Sequence, residues 1–154
     1  MTVAEASKLD ELLDAAQSEA RAAGLGYAGG VSPQEAWALH QAGLARIVDV
    51  RTAEERKFVG HPPGTDHVAW ATGTSMTRNP RFVRELEAKV GKEAKVLLLC
   101  RSGKRSVLAA EAATQAGFPH AFNILEGFEG ELDPLGHRGA ADGWRFHGLP
   151  WVQD

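Results

Sequence analysis

The only cysteine in the chain, Cys100, stands between an apolar run and a loop that carries three cations. The run is VLLL, and the cations of the loop are Arg101, Lys104 and Arg105. A buried structural thiol needs no such neighbours, whereas nearby positive charge stabilises a reactive thiolate. Gly103 has no Cβ, so the backbone of this loop can curl close to the sulfur. The stretch therefore predicts a nucleophilic cysteine that faces an anionic substrate.

The elements on either side of Cys100 place it where this chemistry is favoured. The apolar run is typical of a buried strand, and residues 102–117 are typical of a helix. In open α/β sheets, ligands bind beyond the carboxyl ends of strands, where a loop leads into the next helix. Backbone N–H groups and the positive end of the helix dipole favour an anion there. We predict Cys100 as the catalytic residue. The predicted substrate-binding residues are those of the loop, Arg101, Ser102, Gly103, Lys104, Arg105 and Ser106.

Strands and helices alternate along the rest of the chain. The strongest helix start is Ser32-Pro33, with Glu35 completing a capping box. The predicted helices cover residues 5–23, 33–43, 52–58, 81–90 and 102–117, and the predicted strands cover 45–50, 67–70, 94–100 and 121–125. Such alternation is typical of βαβ units. The expected class is α/β, with a small parallel β-sheet and helices on both faces. The tail after Leu125 has little periodicity, but its aromatic residues predict an ordered cover over the domain.

Length, charge and cysteine count limit the classes of function. The 154 residues suffice for one domain, and 44% hydrophobic residues is ordinary for a globular protein. A net charge of -3 argues against a nucleic-acid partner. The chain shows neither a signal peptide nor a run of about eighteen apolar residues, so we expect a cytoplasmic protein with no membrane partner. One cysteine excludes an internal disulfide, and the histidines lack metal-ligand spacing, so we expect no metal.

Four segments together resemble the rhodanese-type sulfurtransferases in their single-domain form. They are CRSGKRS (100–106), IVDVR (47–51), GHPPGT (60–65) and EGFEG (126–130). The third segment departs from the family turn, because Pro62 replaces its usual aliphatic residue and the spacing before it is one residue longer. The resemblance covers residues 28–152 and implies a rhodanese-like three-layer domain. Residues 1–27 lie outside it and form a predicted N-terminal helical extension.

The resemblance implies a sulfur-transfer cycle on Cys100. The thiolate would take the outer sulfur of a donor such as thiosulfate, release sulfite and carry the sulfur as a persulfide. Arg101, Lys104 and Arg105 would hold the anionic donor or acceptor, and no metal or organic cofactor is required. Because the chain has no second cysteine, the acceptor comes from outside: cyanide, a small thiol or the cysteine of a partner protein. The N-terminal helix is expected either to pack on the domain or to form a homodimer contact.

Two other functions stay open. Cell-cycle phosphatases of the same fold use a Cys-x5-Arg loop, whereas Cys100 to Arg105 is Cys-x4-Arg. The tighter ring suits a single sulfur atom better than a tetrahedral phosphate. A rhodanese-like module kept for binding or regulation would need no turnover, although the presence of Cys100 argues against it.

Several polar residues outside the loop have simpler interpretations. Asp49 and Arg51 end a predicted buried strand, so we expect an ion pair or hydrogen bonds to nearby turns. His61 is predicted to be a structural histidine bonded to backbone. His137 and Arg138 lie between glycines in the tail, where they would either line the mouth of the pocket or belong to a solvated loop.

Overall fold

The computed structural model describes residues 2–154, which form five helices and seven strands. The helices are α1 (Val3–Ala22), α2 (Pro33–Gln41), α3 (Ala53–Phe58), α4 (Phe82–Val90) and α5 (Lys104–Gln115). The strands are β1 (Gly29–Val31), β2 (Arg46–Asp49), β3 (Asp66–His67), β4 (Ala71–Thr72), β5 (Thr77–Arg78), β6 (Val96–Leu99) and β7 (Ala121–Ile124). The predicted helices are confirmed, with shifts of one to two residues at most of their ends.

The central sheet has five parallel strands in the order β1-β7-β6-β2-β3. Strand β6 lies at its centre and ends directly before Cys100. Helices cover both faces of a parallel sheet, so its central strands read as continuous apolar runs. The four residues of β6 are all buried, as this rule requires. The predicted α/β class with a small parallel sheet is confirmed.

Buried side chains form one cluster on each face of the sheet. Leu98 of β6 belongs to the cluster that includes α4 and α5, whereas Leu97 and Leu99 belong to the cluster of α1, α2 and the tail. This division follows from the strand geometry, since successive side chains point to opposite faces. The domain therefore has three layers, with the sheet in the middle.

Capping boxes start the two helices that follow β1 and β2. In α2, the Ser32 Oγ accepts from the backbone N–H of Glu35 at 3.1 Å, as predicted. In α3, the hydroxyl of Thr52 accepts from the backbone N–H of Glu55 at 3.1 Å. Such a cap stabilises a helix by about 1 kcal/mol. The cap of α3 also places Glu55 at the first turn, beside the Cys100 loop.

The sequence predicts no strand between the first two helices, and the structure corrects this. Gly29–Val31 forms the edge strand β1, which pairs in parallel with β7. Gly29 has a φ of +135°, and a Cβ there would lie 2.6 Å from the carbonyl oxygen of Ala16 in α1. Sequence analysis missed this strand because its three residues show no alternation of apolar and polar side chains. The strand forms because its backbone pairs with β7.

The region between β2 and α4 also differs from the prediction. The strand expected at residues 67–70 is the two-residue β3 at Asp66–His67, which pairs with β2. Beyond it, β4 and β5 form an antiparallel hairpin that was not predicted. Short polar strands carry little periodicity, so local pattern does not separate them from turns.

Helix α1 packs on the domain through its apolar stripe. Leu13 is fully buried in the cluster that contains Ile47 and Leu97 of the sheet. The division into an extension of residues 1–27 and a domain of residues 28–152 stays a prediction. Among residues 2–154, no helix combines the length and the apolar character that crossing a bilayer requires.

The tail after β7 covers one face of the domain, as its aromatic residues predicted. Phe128 and Trp144 are fully buried in the cluster that contains α1 and α2. The indole N–H of Trp144 donates to the carbonyl of Pro150 at 2.8 Å, so its polar atom has a partner. A backbone bridge between His61 and Val152 ties the end of the tail to the turn after α3.

Candidate active site

The Cys100 sulfur lies beneath the loop of residues 101–106, within reach of polar donors. The residue is only 1% exposed. The backbone N–H of Gly103 donates to the sulfur at 3.1 Å, and the Ser106 Oγ lies 3.2 Å from it. Gly103 adopts a φ of +99°, which only glycine enters freely, and this turn aims its N–H at the sulfur. The loop therefore places hydrogen-bond donors around a buried sulfur.

The loop also holds backbone N–H groups that have no protein acceptor. Within residues 2–154, no carbonyl, carboxylate or hydroxyl accepts from the amides of Arg101, Ser102, Lys104, Arg105 and Ser106. Gly103 lies between them and donates to the sulfur. A helix start leaves such groups unpaired, and together with the helix dipole they attract negative charge. The arrangement can stabilise an anion on the Cys100 sulfur or on a molecule bound beside it.

The segment of residues 126–130 supports the loop from below. The backbone N–H of Phe128 donates to the Cys100 carbonyl at 2.8 Å, and that of Glu129 donates to the Arg101 carbonyl at 2.9 Å. At Gly127, with a φ of +71°, a Cβ would lie 2.4 Å from the carbonyl carbon of Arg101. The carbonyls of the loop are therefore turned toward the tail, which leaves its N–H groups free.

Ser106 links the sulfur to a polar residue inside β7. The Ser106 hydroxyl lies 2.5 Å from the side-chain oxygen of Asn123, and both residues are buried. A hydroxyl has one proton and can turn it toward either acceptor. Ser106 can thus donate to Asn123 while the sulfur is neutral and to the sulfur when it carries negative charge.

The three loop cations occupy different environments. The Arg105 guanidinium forms two hydrogen bonds with the Glu55 carboxylate, at 2.7 and 2.8 Å. Lys104 is exposed, and its Nζ lies 4.0 Å from an oxygen of Glu131. Arg101 is exposed and has no carboxylate within 4.0 Å among residues 2–154. Arg101 and Lys104 are therefore the loop cations with freedom to meet a ligand, while Arg105 is held by Glu55.

The pair of Glu55 and Arg105 is charged over a wide pH range. Burial opposes the charged form of Glu55, but hydrogen bonds from the Arg105 guanidinium and the Thr52 backbone outweigh burial and lower its pKa from about 4.5 to about 2. The hydrogen bonds with the Glu55 carboxylate in turn raise the pKa of Arg105. A negative charge on Cys100 raises the pKa of Arg105 further, because the two opposite charges attract each other.

Asp49 and Arg51 form the structural ion pair that their position predicted. The Arg51 Nε and Nη2 donate to the two carboxylate oxygens of Asp49 at 2.9 and 2.7 Å, and both side chains are fully buried. Arg56 adds a third contact to Asp49 at 3.1 Å. The Arg51 Nη2 also donates to the Gly60 carbonyl, which fixes the turn after α3.

The predicted histidines lie outside the loop. The His61 Nδ1 lies 3.2 Å from the Arg56 carbonyl, in the structural role expected for it. His137 is exposed, and its backbone N–H donates to Asp133. Arg138 is half-buried and donates to the Gly130 carbonyl at 2.7 Å, so it contacts the segment that supports the loop and not the sulfur.

Sequence reasoning missed two side chains that belong to the site. Glu55 was treated as part of a short helix, although the spacing from Thr52 marks it as a capping-box residue. Asn123 interrupts an apolar strand, and a polar residue in a buried strand is itself a signal that a partner is needed. Both partners are distant along the chain, since 50 residues separate Glu55 from Arg105 and 17 separate Ser106 from Asn123.

Comparison with known proteins assigns the family. Residues 32–131 match the family described as the rhodanese-like domain. A Rickettsia rickettsii protein called "Uncharacterized protein RP600 homolog" is 34% identical over 112 residues, covering 70% of this chain and 82% of that protein. The crystal structure of Rv0390 from M. tuberculosis is similar with a TM-score of 0.74 and 47% identity, covering 83% of this chain and 99% of that one. The chain belongs to the rhodanese-like domain family.

A further relative carries an enzyme's name. "Thiosulfate sulfurtransferase 16, chloroplastic" of Arabidopsis thaliana is 32% identical over 85 residues, covering 54% of this chain and 70% of that protein. The family to which this chain belongs therefore contains sulfurtransferases, and the resemblance found in the sequence is confirmed.

Proposed function

We propose that this protein is a sulfurtransferase that carries a sulfane sulfur on Cys100, with thiosulfate as the donor. The observation that carries the proposal is the set of N–H groups around the sulfur. One donates to the sulfur, and the neighbouring ones have no acceptor among residues 2–154. Preorganised donors of this kind stabilise charge that develops during a reaction. The role of Arg101, Ser102, Gly103, Lys104, Arg105 and Ser106 in binding substrate is part of the same proposal.

In the first step the Cys100 thiolate attacks the outer sulfur of thiosulfate. A bond forms between the two sulfur atoms, the sulfur–sulfur bond of the donor breaks, and sulfite leaves with the electron pair. The product is a persulfide whose terminal sulfur carries the negative charge. The loop N–H groups would stabilise that charge, and Arg101 and Lys104 would hold the sulfonate of the donor. Arg105 contributes positive charge while Glu55 keeps it in place.

In the second step an external acceptor removes the terminal sulfur. Its thiolate, or cyanide, attacks that sulfur, and Cys100 leaves as the thiolate that began the cycle. The chain has one cysteine, so the acceptor thiol comes from another molecule. Sulfur enters and leaves in this way without net oxidation, so neither step calls for a cofactor.

The length and the burial of the loop favour sulfur transfer over phosphate hydrolysis. The sulfur is almost fully buried beneath a Cys-x4-Arg loop, a tight setting for a tetrahedral phosphate and its attacking water. The arginine of a phosphatase loop must also reach the phosphate, whereas Arg105 is bonded to Glu55 here. A binding module without turnover is the other candidate, and the donors aimed at Cys100 argue against it.

Intact-mass spectrometry after incubation with thiosulfate tests the proposal. We expect a gain of one sulfur atom, about 32 Da, that cyanide removes, because the persulfide is a covalent intermediate. The variant Cys100→Ser should show no gain, and Ser75→Ala, a change on the exposed hairpin, should behave as the wild type. If thiosulfate and mercaptopyruvate both leave the mass unchanged, the protein is a binding module. Hydrolysis of an aryl phosphate that requires Cys100 would make it a phosphatase.

The cellular setting belongs to the same proposal. We place the protein in the cytoplasm, where small thiols and partner cysteines stay reduced and can accept sulfur. A homodimer stays a prediction, and the sedimentation coefficient of the purified protein tests it.

A further inference from the structure

A cleft of about 700 Å³ lies at the β3 edge of the sheet, outside the Cys100 loop. The β4–β5 hairpin forms one wall, and the outer face of α4 forms the other. The floor contains apolar groups of Val68, Ala69 and Ala88. This volume lies within the range of about 300–1,000 Å³ found for ligand sites. Asp49, Arg51 and Cys100 are not among the residues that line this cleft.

The rim of the cleft is positive, although the whole chain is negative. Arg78, Arg81 and Lys89 line the cleft, and among residues 2–154 no carboxylate lies within 4.0 Å of their charged groups. Glu85 is the acidic residue of the lining, and its carboxylate accepts from the Asn79 amide at 2.6 Å. With a net charge of -3 for the chain, this cluster is a local excess of positive charge. Such a surface attracts an acidic ligand.

The walls of the cleft are held in place. The Asn79 side chain donates to the Ala69 carbonyl at 2.9 Å as well as to Glu85, so it fastens α4 to the floor. The Arg78 guanidinium lies 3.8 Å above the ring of Trp70, which is buried. A cation stacked on an aromatic ring keeps its charge and its free N–H groups. Arg78 is therefore preorganised, whereas Arg81 and Lys89 are exposed and can adjust to a ligand.

One end of the cleft lies at the carboxyl edge of the sheet, where the Cys100 site also opens, and the Lys89 end lies beside the start of β2. Val68 and Ala69 follow β3 as Cys100 follows β6, and one strand, β2, separates β3 from β6. Two strand spacings place the cleft about 10 Å from the sulfur along the sheet. The hairpin joins them, because Met76 at its turn lies 3.8 Å from the Arg105 guanidinium. A protein seated in the cleft would extend over the Cys100 loop.

We propose that this cleft docks an acidic segment of the protein that accepts sulfur from Cys100. The identity of the bound protein as acceptor rests on the proposed function, whereas the docking itself does not. Arg81 lies at the N-cap of α4 and Lys89 in its last turn, a rise of about 12 Å, so an elongated ligand matches their separation better than one small anion. An extended peptide with acidic residues three or four positions apart spans that distance. The methylene groups of glutamate side chains also suit an apolar floor.

Fluorescence anisotropy of a labelled peptide of alternating glutamate and alanine tests the docking. The double variant Arg81→Glu/Lys89→Glu should weaken binding by roughly tenfold or more, because two attractive charges become repulsive. The matched control Lys8→Glu/Lys92→Glu makes the same charge change at exposed positions outside the cleft, and binding should change little. Binding should also weaken as salt is added, since exposed charges are screened over about 10 Å.

Several outcomes would overturn the docking proposal. They are equal losses in the two double variants, equal affinity for a glutamine–alanine peptide, and tighter binding of citrate or of oligothymidine than of the acidic peptide. Circular dichroism of each variant excludes misfolding, and Arg81→Gln/Lys89→Gln repeats the test with a smaller change.

The acceptor role is measured separately. Persulfidated protein should pass sulfur faster to the acidic peptide extended by a cysteine than to the glutamine–alanine peptide with the same cysteine. The Arg81→Glu/Lys89→Glu variant should lose that preference and still take sulfur from thiosulfate. Equal transfer to the two peptides by the wild type would refute the acceptor role. Absence of any persulfide would refute the proposed function. The docking proposal would then stand by itself, because peptide binding measured with Cys100→Ser does not depend on sulfur transfer.

Discussion

Polar groups at the carboxyl ends of two neighbouring strands differ: those at β2 are paired within the protein, and those after β6 are not. After β2, Asp49 and Arg51 are fully buried, and two hydrogen bonds join the guanidinium to the carboxylate. After β6, the loop that follows Cys100 leaves several N–H groups without an acceptor in the part of the protein that the structure describes. Groups that are paired inside the protein hold the fold together, and groups that are left unpaired at the same edge of the sheet are free to bind a ligand.

One residue of the tail joins the two strand ends. The ring of Phe128 lies 4.3 Å from the Arg51 guanidinium, and its backbone N–H donates to the Cys100 carbonyl. The Arg51 Nη1 has no hydrogen-bond partner within residues 2–154. A cation over an aromatic face offsets part of that loss. The structural pair at β2 therefore supports the tail that in turn shapes the Cys100 loop.

The largest loss of stability is expected from Asp49→Ala. It leaves Arg51 buried without its carboxylate, and breaking a buried ion pair costs about 3–5 kcal/mol of unfolding free energy. Urea titration measures the loss. Cys100→Ser should have the opposite effect: sulfur uptake is abolished, and the loss of unfolding free energy stays below about 1.5 kcal/mol. If Asp49→Ala is as stable as the wild type, the structural role assigned to the ion pair at the end of β2 is wrong.

Gly127→Ala should disturb the Cys100 loop, because Gly127 belongs to the segment of residues 126–130 that supports this loop. The new Cβ would lie 2.4 Å from the Arg101 carbonyl carbon, and a φ of +71° is strained for alanine. We expect a loss of about 3 kcal/mol together with slower sulfur uptake, from overpacking and backbone strain combined. Gly73→Ala is the matched control, because Gly73 has the same φ and nothing within 4 Å of a Cβ. It should lose about 1 kcal/mol and keep its sulfur uptake.

Glu55→Gln tests the pair that lies between the two strand ends. It removes the charge that holds Arg105, and we expect a loss of about 1–2 kcal/mol, reduced from the full pKa shift because both side chains are partly exposed. A freed Arg105 should also change the KM for thiosulfate. The neighbouring and exposed Glu54 serves as control, and Glu54→Gln should alter neither quantity. Equal effects of the two substitutions would show that the ion pair contributes nothing specific.

The smallest effect is a pH dependence of the same pair. Folding lowers the pKa of Glu55 from about 4.5 to about 2, so its stabilisation is complete above the higher value and is lost as the pH falls to the lower one. The difference in unfolding free energy between wild type and Glu55→Gln should stay constant from about pH 7 to about pH 5. It should then vanish toward about pH 2. Urea titrations at each pH measure it, and a difference that persists at the acidic end contradicts the assignment.

Much of the fold followed from local sequence signals. The apolar run before Cys100, the serine cap of α2 and the aromatic residues of the tail each predicted a structure that was found. The signals failed at β1 and at the β4–β5 hairpin. Those strands are two or three residues long and depend on backbone partners, which periodicity does not reveal.

The sequence by itself determined where the Cys100 sulfur lies. An apolar strand, a cysteine and a glycine-containing loop that opens a helix are neighbours along the chain, so local geometry places Cys100 and its N–H groups together. Only the tertiary structure decided how the surrounding side chains divide their charges. Arg105 is bound to Glu55, Ser106 contacts Asn123, and Arg101 and Lys104 stay exposed to solvent. The reason is physical: ion pairs and hydrogen bonds depend on distance in space, and these partners are far apart in sequence.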